Sequence, residues 1–343
     1  MEKTRLGKTN LMVSRTAFGA IPIQRITDSE CDALLRKAYD SGINFIDTAR
    51  MYGISEGRIG QFLGDVRGEI IIATKTGAKD VETFESHLAT SLSELKTDYI
   101  DIYQFHNPPF VPRPGGADGL YDAALRAKEA GKIRHIGISN HSLERAKEAV
   151  KSGLYATLQF PLSLLATDAE LEVIELCKKH DVGLIAMKGM AGGLISNGKP
   201  AFAFLRQFEN VVPIWGIEHM WQLEEFLSYE KNPPTLDDEI WTIIDKYRAE
   251  LRGAFCRSCG YCLPCPAQIN IPQAARMTLL LGRTAWQGLI NENGQEMMRR
   301  INNCTNCNHC IKNCPYELDT PELLRENLEF YEKFVTDKLS GGN

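Results

Sequence analysis

Long apolar runs are missing from this sequence of 343 residues. No stretch approaches the roughly 20 apolar residues of a membrane-spanning helix. The opening MEKTRLGKTN also lacks the apolar segment and small-residue cleavage site of a signal peptide. Lys and Arg form no long block, and the formal net charge is −5. We therefore expect a cytoplasmic protein without a membrane or nucleic-acid partner, which leaves small molecules and other proteins.

A G-x-G-x-x-G turn is also missing after the first predicted strand, which disfavours an open, doubly wound sheet that binds a dinucleotide. Instead, apolar runs rich in β-branched residues alternate with amphipathic helical segments at intervals of roughly 25 to 35 residues, the length of a βα unit. The eight runs are 13–19, 43–47, 70–75, 99–105, 133–139, 156–160, 183–188 and 211–215. This count predicts an α/β fold, a (β/α)8 TIM barrel, with the doubly wound sheet as the alternative.

The barrel pattern ends near a pair of prolines, Pro233 and Pro234, which indicates a linker. We predict a barrel over 1–230, a linker and helix over 231–251, and a small, mainly helical domain over 252–343. Helical patterns beyond the barrel cover about 236–251, 272–300 and 321–338.

Four residues that suit proton chemistry follow three successive predicted strands. Asp47 ends the second strand, Tyr52 comes five residues later, Lys75 ends the third and His106 follows the fourth. The chemistry of a (β/α)8 barrel takes place where its strands end, so all four are expected at one mouth.

The segments that carry these residues, NFIDTARMYG, ATK and DIYQFH, resemble the catalytic segments of the aldo-keto reductases in order and spacing. RLGKTNLMVS and GISN resemble the same family. The resemblance covers the predicted barrel and implies an oxidoreductase that uses NAD(P)H to reduce a carbonyl, or oxidises the alcohol in reverse.

The residue types also suit that chemistry on physical grounds. A free tyrosine has a pKa of about 10 and holds its proton too tightly at neutral pH. The Lys75 ammonium would lower this pKa by favouring the phenolate, Asp47 would keep Lys75 charged, and His106 would bind the carbonyl oxygen. The alternative is a structural ion pair of Asp47 with Lys75, beside a wall tyrosine and an ordinary barrel histidine. Finding all four residue types together favours the catalytic interpretation.

The resemblance also implies a nicotinamide site. Ser139, Asn140 and Gln159 would hold the carboxamide, although each could equally order a loop. The family usually has an aromatic residue at the end of strand seven, where this chain has Met187, so a thioether contact replaces flat stacking. Lys188 and the backbone amides beginning at Gly189 would cradle a pyrophosphate.

The segment after strand eight resembles the family's adenosine-phosphate segment. By that resemblance Gly216, Gln222 and Glu225 occupy cofactor-binding positions. No Arg or Lys lies between Pro213 and Glu230, whereas a 2′-phosphate calls for one. The sequence therefore favours NADH over NADPH, with Lys188 as the residue that could reverse this preference.

Eight of the ten cysteines form two compact runs. Cys31 and Cys177 stand alone in helical patterns and are expected to be buried and inert. In the second run the gaps between cysteines are two, two and three residues before a Cys-Pro, the spacing of bacterial two-cluster ferredoxins. The first run has a last gap one residue shorter. The runs are Cys256, Cys259, Cys262 and Cys265, then Cys304, Cys307, Cys310 and Cys314.

In such ferredoxins the fourth cysteine of each run binds the other cluster. We therefore predict two 4Fe–4S clusters in a ferredoxin-like domain and an oxygen-sensitive protein. Zinc and disulfides are the alternatives, and four cysteines crowded into one short run suit neither. The predicted ligand sets are Cys256, Cys259, Cys262 and Cys314 for one cluster, and Cys265, Cys304, Cys307 and Cys310 for the other.

Three functions remain open. The barrel is a nicotinamide-linked carbonyl reductase whose clusters serve structure, partner docking or electron transfer. Alternatively, the clusters carry electrons from a ferredoxin-like protein to a substrate in the barrel, without a tightly bound nicotinamide. The third hypothesis is a non-enzymatic iron–sulfur sensor or assembly module. The intact set of Asp47, Tyr52, Lys75 and His106 argues against it. No flavin motif is present to convert between hydride and single-electron transfer.

Overall fold

The computed structural model describes residues 1–251, 255–282 and 286–340. Its strands are β1 (Lys3–Arg5), β2 (Met12–Ser14), β3 (Ala17–Gly19), β4 (Phe45–Asp47), β5 (Ile71–Thr76), β6 (Ile100–His106), β7 (Ile133–Ser139), β8 (Thr157–Pro161), β9 (Gly183–Met187) and β10 (Val211–Gly216). Strands β3 to β10 pair in parallel and close in the order β10-β3-β4-β5-β6-β7-β8-β9. The predicted barrel is therefore confirmed.

Helices follow the barrel strands and recur through the C-terminal part of the described chain. They are α1 (Asp28–Asp40), α2 (Ser55–Phe62), α3 (Val81–Glu94), α4 (Leu120–Glu129), α5 (Leu143–Lys151), α6 (Asp168–Lys179), α7 (Gly198–Arg206), α8 (Met220–Lys231), α9 (Asp238–Glu250), α10 (Ile271–Ala274), α11 (Met277–Leu281), α12 (Glu292–Arg299), α13 (His309–Lys312) and α14 (Thr320–Ser340). None of those described is both long and apolar enough to cross a membrane.

The first predicted strand, 13–19, is wrong as a single element. Its first part pairs antiparallel with β1, and only β3 joins the barrel. The hairpin carries Leu6 into the apolar cluster that fills the barrel interior. Gly7 makes this approach possible, because it adopts a positive φ of 50° and a Cβ there would overlap the backbone of Gly183.

The chain divides into two compact units. One comprises Met1–Met190 and Asn197–Asp245, and the other comprises Ala191–Ser196 and Lys246–Asn343. The short segment Ala191–Ser196 thus groups with the cysteine-rich unit although it follows a barrel strand in the sequence.

The cysteine-rich unit has its own apolar core, which includes Met277, Met298 and Leu324. The predicted helix over 272–300 is not continuous, because the described part of this range forms three short helices, α10, α11 and α12. Asn291 starts the last of them anew, since its side chain accepts a hydrogen bond from the backbone N–H of Gly294 at 2.9 Å. Residues 283–285 lie outside the described residues.

Candidate active site and cysteine cavities

Asp47 and Lys75 form a buried ion pair at the ends of β4 and β5. The Lys75 Nζ lies 2.7 and 2.8 Å from the two carboxylate oxygens of Asp47, and it also donates to the carbonyl of Thr48 at 2.6 Å. The Lys75 side chain is only 1% exposed and the Asp47 side chain only 3%. Burial raises the pKa of Asp47 and lowers the pKa of Lys75, while their mutual contact opposes both shifts.

Tyr52 and His106 lie beside this pair. The Lys75 Nζ is 5.2 Å from the centroid of the Tyr52 ring, and the ring of His106 meets Tyr52 edge-on at a centroid distance of 5.8 Å. Burial, followed by the nearby charge of Lys75, lowers the pKa of His106 well below 6.5, so its imidazole is neutral at neutral pH. The structure therefore brings together all four residues proposed from the strand ends.

A buried polar network holds the loop that carries Tyr52. Thr48 donates from Oγ1 to the Ser55 Oγ at 2.8 Å, and Ser55 donates to the carbonyl of Ala20 at 2.9 Å. Next to it, Glu56 accepts from the Thr74 Oγ1 at 2.5 Å and from the guanidinium of Arg50.

Glu56 is only 1% exposed, and its burial raises the pKa of its carboxyl. The sequence analysis missed this carboxylate, because an acidic residue in the first turn of a helix ordinarily faces solvent.

Ser139 and Gln159 stand at neighbouring strand ends, in register with His106 and with each other. The Gln159 amide donates to Asp47 at 3.3 Å and accepts from Gln104 at 2.9 Å, so it is hydrogen-bonded directly to the ion pair. The Ser139 hydroxyl accepts from the backbone of Asn107 at 3.1 Å.

Asn140 hydrogen-bonds within its own loops. It donates to the carbonyl of Pro108 at 3.1 Å and accepts from the Ser142 N–H at 2.8 Å. The amide groups of Asn140 and Gln159 and the hydroxyl of Ser139 each have capacity for one further hydrogen bond beyond those described. Their chemistry fits a carboxamide.

The end of β9 and the residues after it make contacts of their own. Met187 ends the strand, in register with Pro161. Lys188 adopts a positive φ of 63°, and the charge of its ammonium contributes, after burial, to lowering the pKa of His141 to about 3. Gly189 packs against the indole of Trp215, where a Cβ would lie 2.7 Å from the ring. The segment Ala191–Ser196 belongs to the cysteine-rich unit.

The segment after β10 is engaged in contacts of its own. Gln222 caps α8 by accepting from the backbone N–H groups of Glu218 and His219 at 2.8 and 3.0 Å. Glu225 accepts from the Tyr229 hydroxyl at 2.7 Å. Gly216 ends β10 and pairs in register with Gly19 of β3.

A cation reaches this segment from elsewhere in the chain. The Arg25 guanidinium donates two hydrogen bonds to Glu218, at 3.1 and 2.7 Å. No local pattern marks this cation, because Arg25 lies in a loop far from Glu218 in the sequence.

Two cavities in the C-terminal unit are lined by the eight clustered cysteines. We call them the enclosed cavity and the surface cavity. The enclosed cavity is lined by Cys256, Cys259, Cys262 and Cys314. The surface cavity is lined by Cys262, Cys265, Cys304, Cys307 and Cys310. Cys262 therefore lines both cavities, and the other seven cysteines divide between them as in the ligand sets proposed from the spacing.

Among the described residues, no group of three or more His, Cys, Asp or Glu side chains is placed to hold one metal ion. All ten cysteines are described, and none of them forms a disulfide. Cys31 and Cys177 are buried in helices, where burial raises their pKa to about 11 and about 12, so they are poor nucleophiles.

Comparisons with known proteins agree with this architecture. The uncharacterized oxidoreductase YrpG of Bacillus subtilis (strain 168) is 32% identical over 225 residues, covering 57% of this chain and 68% of its own. L-galactose dehydrogenase of Arabidopsis thaliana is 29% identical over 219 residues, covering 58% and 69%. The structure of aldo-keto reductase AKR11C1 from Bacillus halodurans in its holo form matches with a TM-score of 0.64 at 24% identity, covering 72% of this chain and 96% of its own, which shows a shared fold.

Family profiles match both parts of the chain. The 4Fe-4S dicluster domain profile matches residues 255–319, so the C-terminal unit carries an iron–sulfur domain. The profile of the Aldo/keto reductase family matches residues 16–203, more than half of the chain. This chain therefore belongs to the aldo/keto reductase family.

Proposed function

We propose that the barrel reduces a carbonyl with a nicotinamide cofactor, or oxidises the corresponding alcohol, at Asp47, Tyr52, Lys75 and His106. The observation that carries the proposal is the Lys75 ammonium, which is held by both oxygens of Asp47 and lies 5.2 Å from the centroid of the Tyr52 ring. An ion pair that served the barrel alone would not require a tyrosine and a histidine at its open side. The name of the relative L-galactose dehydrogenase supports including the oxidative direction.

In this proposal Tyr52 donates its hydroxyl proton to the carbonyl oxygen as that oxygen becomes negative. Lys75 stabilises the phenolate that remains, and Asp47 fixes the position of the ammonium. Neutral His106 can donate an N–H to the same oxygen without adding charge. When bound, the nicotinamide supplies or accepts the hydride.

The nicotinamide end of the cofactor would be held by Ser139, Asn140 and Gln159, whose hydrogen-bonding capacity fits a carboxamide. For the other end we propose a preference for NADH. Glu218 pairs with Arg25 beside Gln222, so Arg25 would have to give up this carboxylate before it could bind a 2′-phosphate.

We also propose that the enclosed and surface cavities each bind one 4Fe–4S cluster through the four cysteines of the predicted ligand set, as the dicluster profile supports. Such clusters pass single electrons and contribute folding energy to the domain that binds them. Docking of a ferredoxin-like redox protein is part of this proposal.

A second candidate function is favoured by Met187, which stands where the family usually has an aromatic residue. In it the clusters supply electrons to the substrate without a tightly bound nicotinamide. Anaerobic protein with dithionite-reduced clusters separates the two functions. Reoxidation of the clusters by substrate alone supports the second, whereas turnover only with nicotinamide supports the first.

The test of the first function is Tyr52→Phe in anaerobically purified protein, assayed with NADH and NADPH on a panel of small aldehydes and ketones. We expect a loss of about 10²- to 10⁴-fold in kcat, the usual worth of a positioned proton donor. Nicotinamide binding, followed by fluorescence quenching, should be retained.

Tyr39→Phe is the matched control, because it removes an exposed hydroxyl that hydrogen-bonds to Glu69. Full turnover in Tyr52→Phe, or no binding of either nicotinamide to the wild type, would refute the first function.

A further inference from the structure

The two cysteine cavities differ in their access to solvent. Cys307, Thr305, Asn308 and His309 of the surface cavity are exposed. Every residue that lines the enclosed cavity is buried or only partly exposed. Because a cluster gains negative charge on reduction, burial by itself makes that step less favourable in the enclosed cavity.

A buried cation stands beside the enclosed cavity. Arg276 is only 9% exposed, and its guanidinium donates to the backbone carbonyls of Gly192 at 2.6 Å and Pro272 at 2.9 Å. Among the described residues it has no carboxylate partner. A Cβ placed on Gly192 would lie 3.4 Å from the Arg276 Nη1 and 3.3 Å from the carbonyl oxygen of Arg257, so the guanidinium lies beside the backbone that follows Cys256. Burial lowers the pKa of Arg276, and the charge of Cys256 opposes that shift.

A second guanidinium lines the enclosed cavity itself. The Cζ of Arg257 lies 4.2 Å from the centroid of the Phe255 ring and 4.6 Å from that of Tyr316. Stacking on two rings restrains the guanidinium, and its Nη1 donates to the Phe255 carbonyl at 3.0 Å. The charge of Arg257 therefore adds to that of Arg276.

The cations near the surface cavity are different in kind. Arg325 interacts electrostatically with Cys304, but its side chain is exposed and its guanidinium pairs with the Glu322 carboxylate at 2.6 Å. Lys312 interacts electrostatically with Cys307, and its side chain is exposed as well. Water and salt screen exposed charges, and a carboxylate partner cancels much of what remains. Nearby cations therefore stabilise added negative charge less in the surface cavity than in the enclosed cavity.

We propose that Arg276 is the counter-charge of the cluster in the enclosed cavity and raises its reduction potential selectively. The inference rests on the proposed cluster binding. Reduction takes up one electron from an external reductant and neither forms nor breaks a bond. Arg276 acts through space, so it is a positioning charge and not a ligand.

The test is a potentiometric titration of the anaerobic, cluster-loaded full chain, followed by electron paramagnetic resonance. In Arg276→Gln we expect one reduction wave to move to a lower potential. The shift should change the ratio of reduced to oxidised cluster roughly tenfold, which is about 59 mV for one electron. The other wave should stay in place. Arg276→Lys, which keeps the charge, should restore most of the shift.

Arg325→Gln is the matched control and should move neither wave appreciably. Cys307→Ser alters a cysteine of the surface cavity and so identifies the wave of that cluster. Equal shifts of both waves in Arg276→Gln, a shift confined to the surface cluster, or equal shifts in the Gln and Lys variants would overturn the proposal.

Cluster loss is also informative. Iron and sulfide analysis that shows loss of one cluster in Arg276→Gln but not in Arg276→Lys supports a required charge, whereas loss in both overturns it. Failure to find two clusters in the wild type refutes the cluster proposal itself. The Tyr52→Phe assay decides carbonyl reduction separately.

Discussion

His106 and His141 are both buried at the barrel mouth, and burial keeps each imidazole neutral where a free histidine begins to take up a proton. A neutral His106 can donate a hydrogen bond without repelling Lys75. The same burial makes the stability of the barrel depend on pH.

We predict that His141 makes the protein less stable as the pH falls. Its folded pKa is about 3, below the unfolded value of about 6.5, so the unfolded state binds more protons between these values. This residue should therefore cost about 1.4 kcal/mol of unfolding free energy per pH unit below about 6.5. Denaturant unfolding of His141→Gln at several pH values should show a slope reduced by that amount.

An unchanged slope in His141→Gln would contradict the assignment of a neutral buried imidazole.

At the level of elements, the loop between β4 and α2 determines where Tyr52 stands. Glu56, at the start of α2, binds both Arg50 of the loop and Thr74 of β5, so one carboxylate connects the loop to the strand that ends in Lys75. Backbone bonding adds to this, because the Arg50 N–H donates to the Lys75 carbonyl at 3.0 Å.

We predict that Glu56→Gln lowers kcat by about 10- to 100-fold and leaves KM nearly unchanged, because a small displacement of a proton donor is costly. The substitution removes the charge that holds Arg50 but keeps the size of the side chain. Steady-state kinetics on a carbonyl that the wild type turns over would measure the effect. Glu82→Gln, in the exposed first turn of α3, is the control. A rise in KM at constant kcat would indicate a binding role instead.

The strands and helices also show which parts of the fold the sequence pattern predicts. The barrel strands were recognisable because each is a short apolar run, and covered parallel strands require such runs. Residues 13–19 form two strands instead of one, since the hairpin closes the barrel end through contacts of Leu6 that no local pattern encodes. The broken helix over 272–300 has a local cause in the cap at Asn291, which was not recognised.

For the whole molecule, the two compact units have separate cores, which predicts separate unfolding transitions. Removing iron with an oxidant and a chelator should abolish the transition of the C-terminal unit, because its folding energy would come largely from bound clusters. The transition of the barrel should remain. Calorimetry of loaded and iron-free protein measures both. A barrel transition lost together with the iron would show that the units do not unfold separately.

The sequence by itself determined the features that depend on spacing along the chain. The barrel follows from the repeat of βα units, the iron–sulfur domain from the two cysteine runs, and the grouping of Asp47, Lys75 and His106 from their positions at strand ends. Parallel strands that end at one rim bring such residues together whatever the loops do.

Only the tertiary structure decided which distant side chains meet. Glu56 turns inward to Arg50 and Thr74, Arg25 reaches Glu218 from another loop, and Arg276 lies beside the enclosed cavity with its guanidinium on Gly192. Each contact joins residues from separate elements. Their meeting depends on how those elements pack, which a local pattern does not encode.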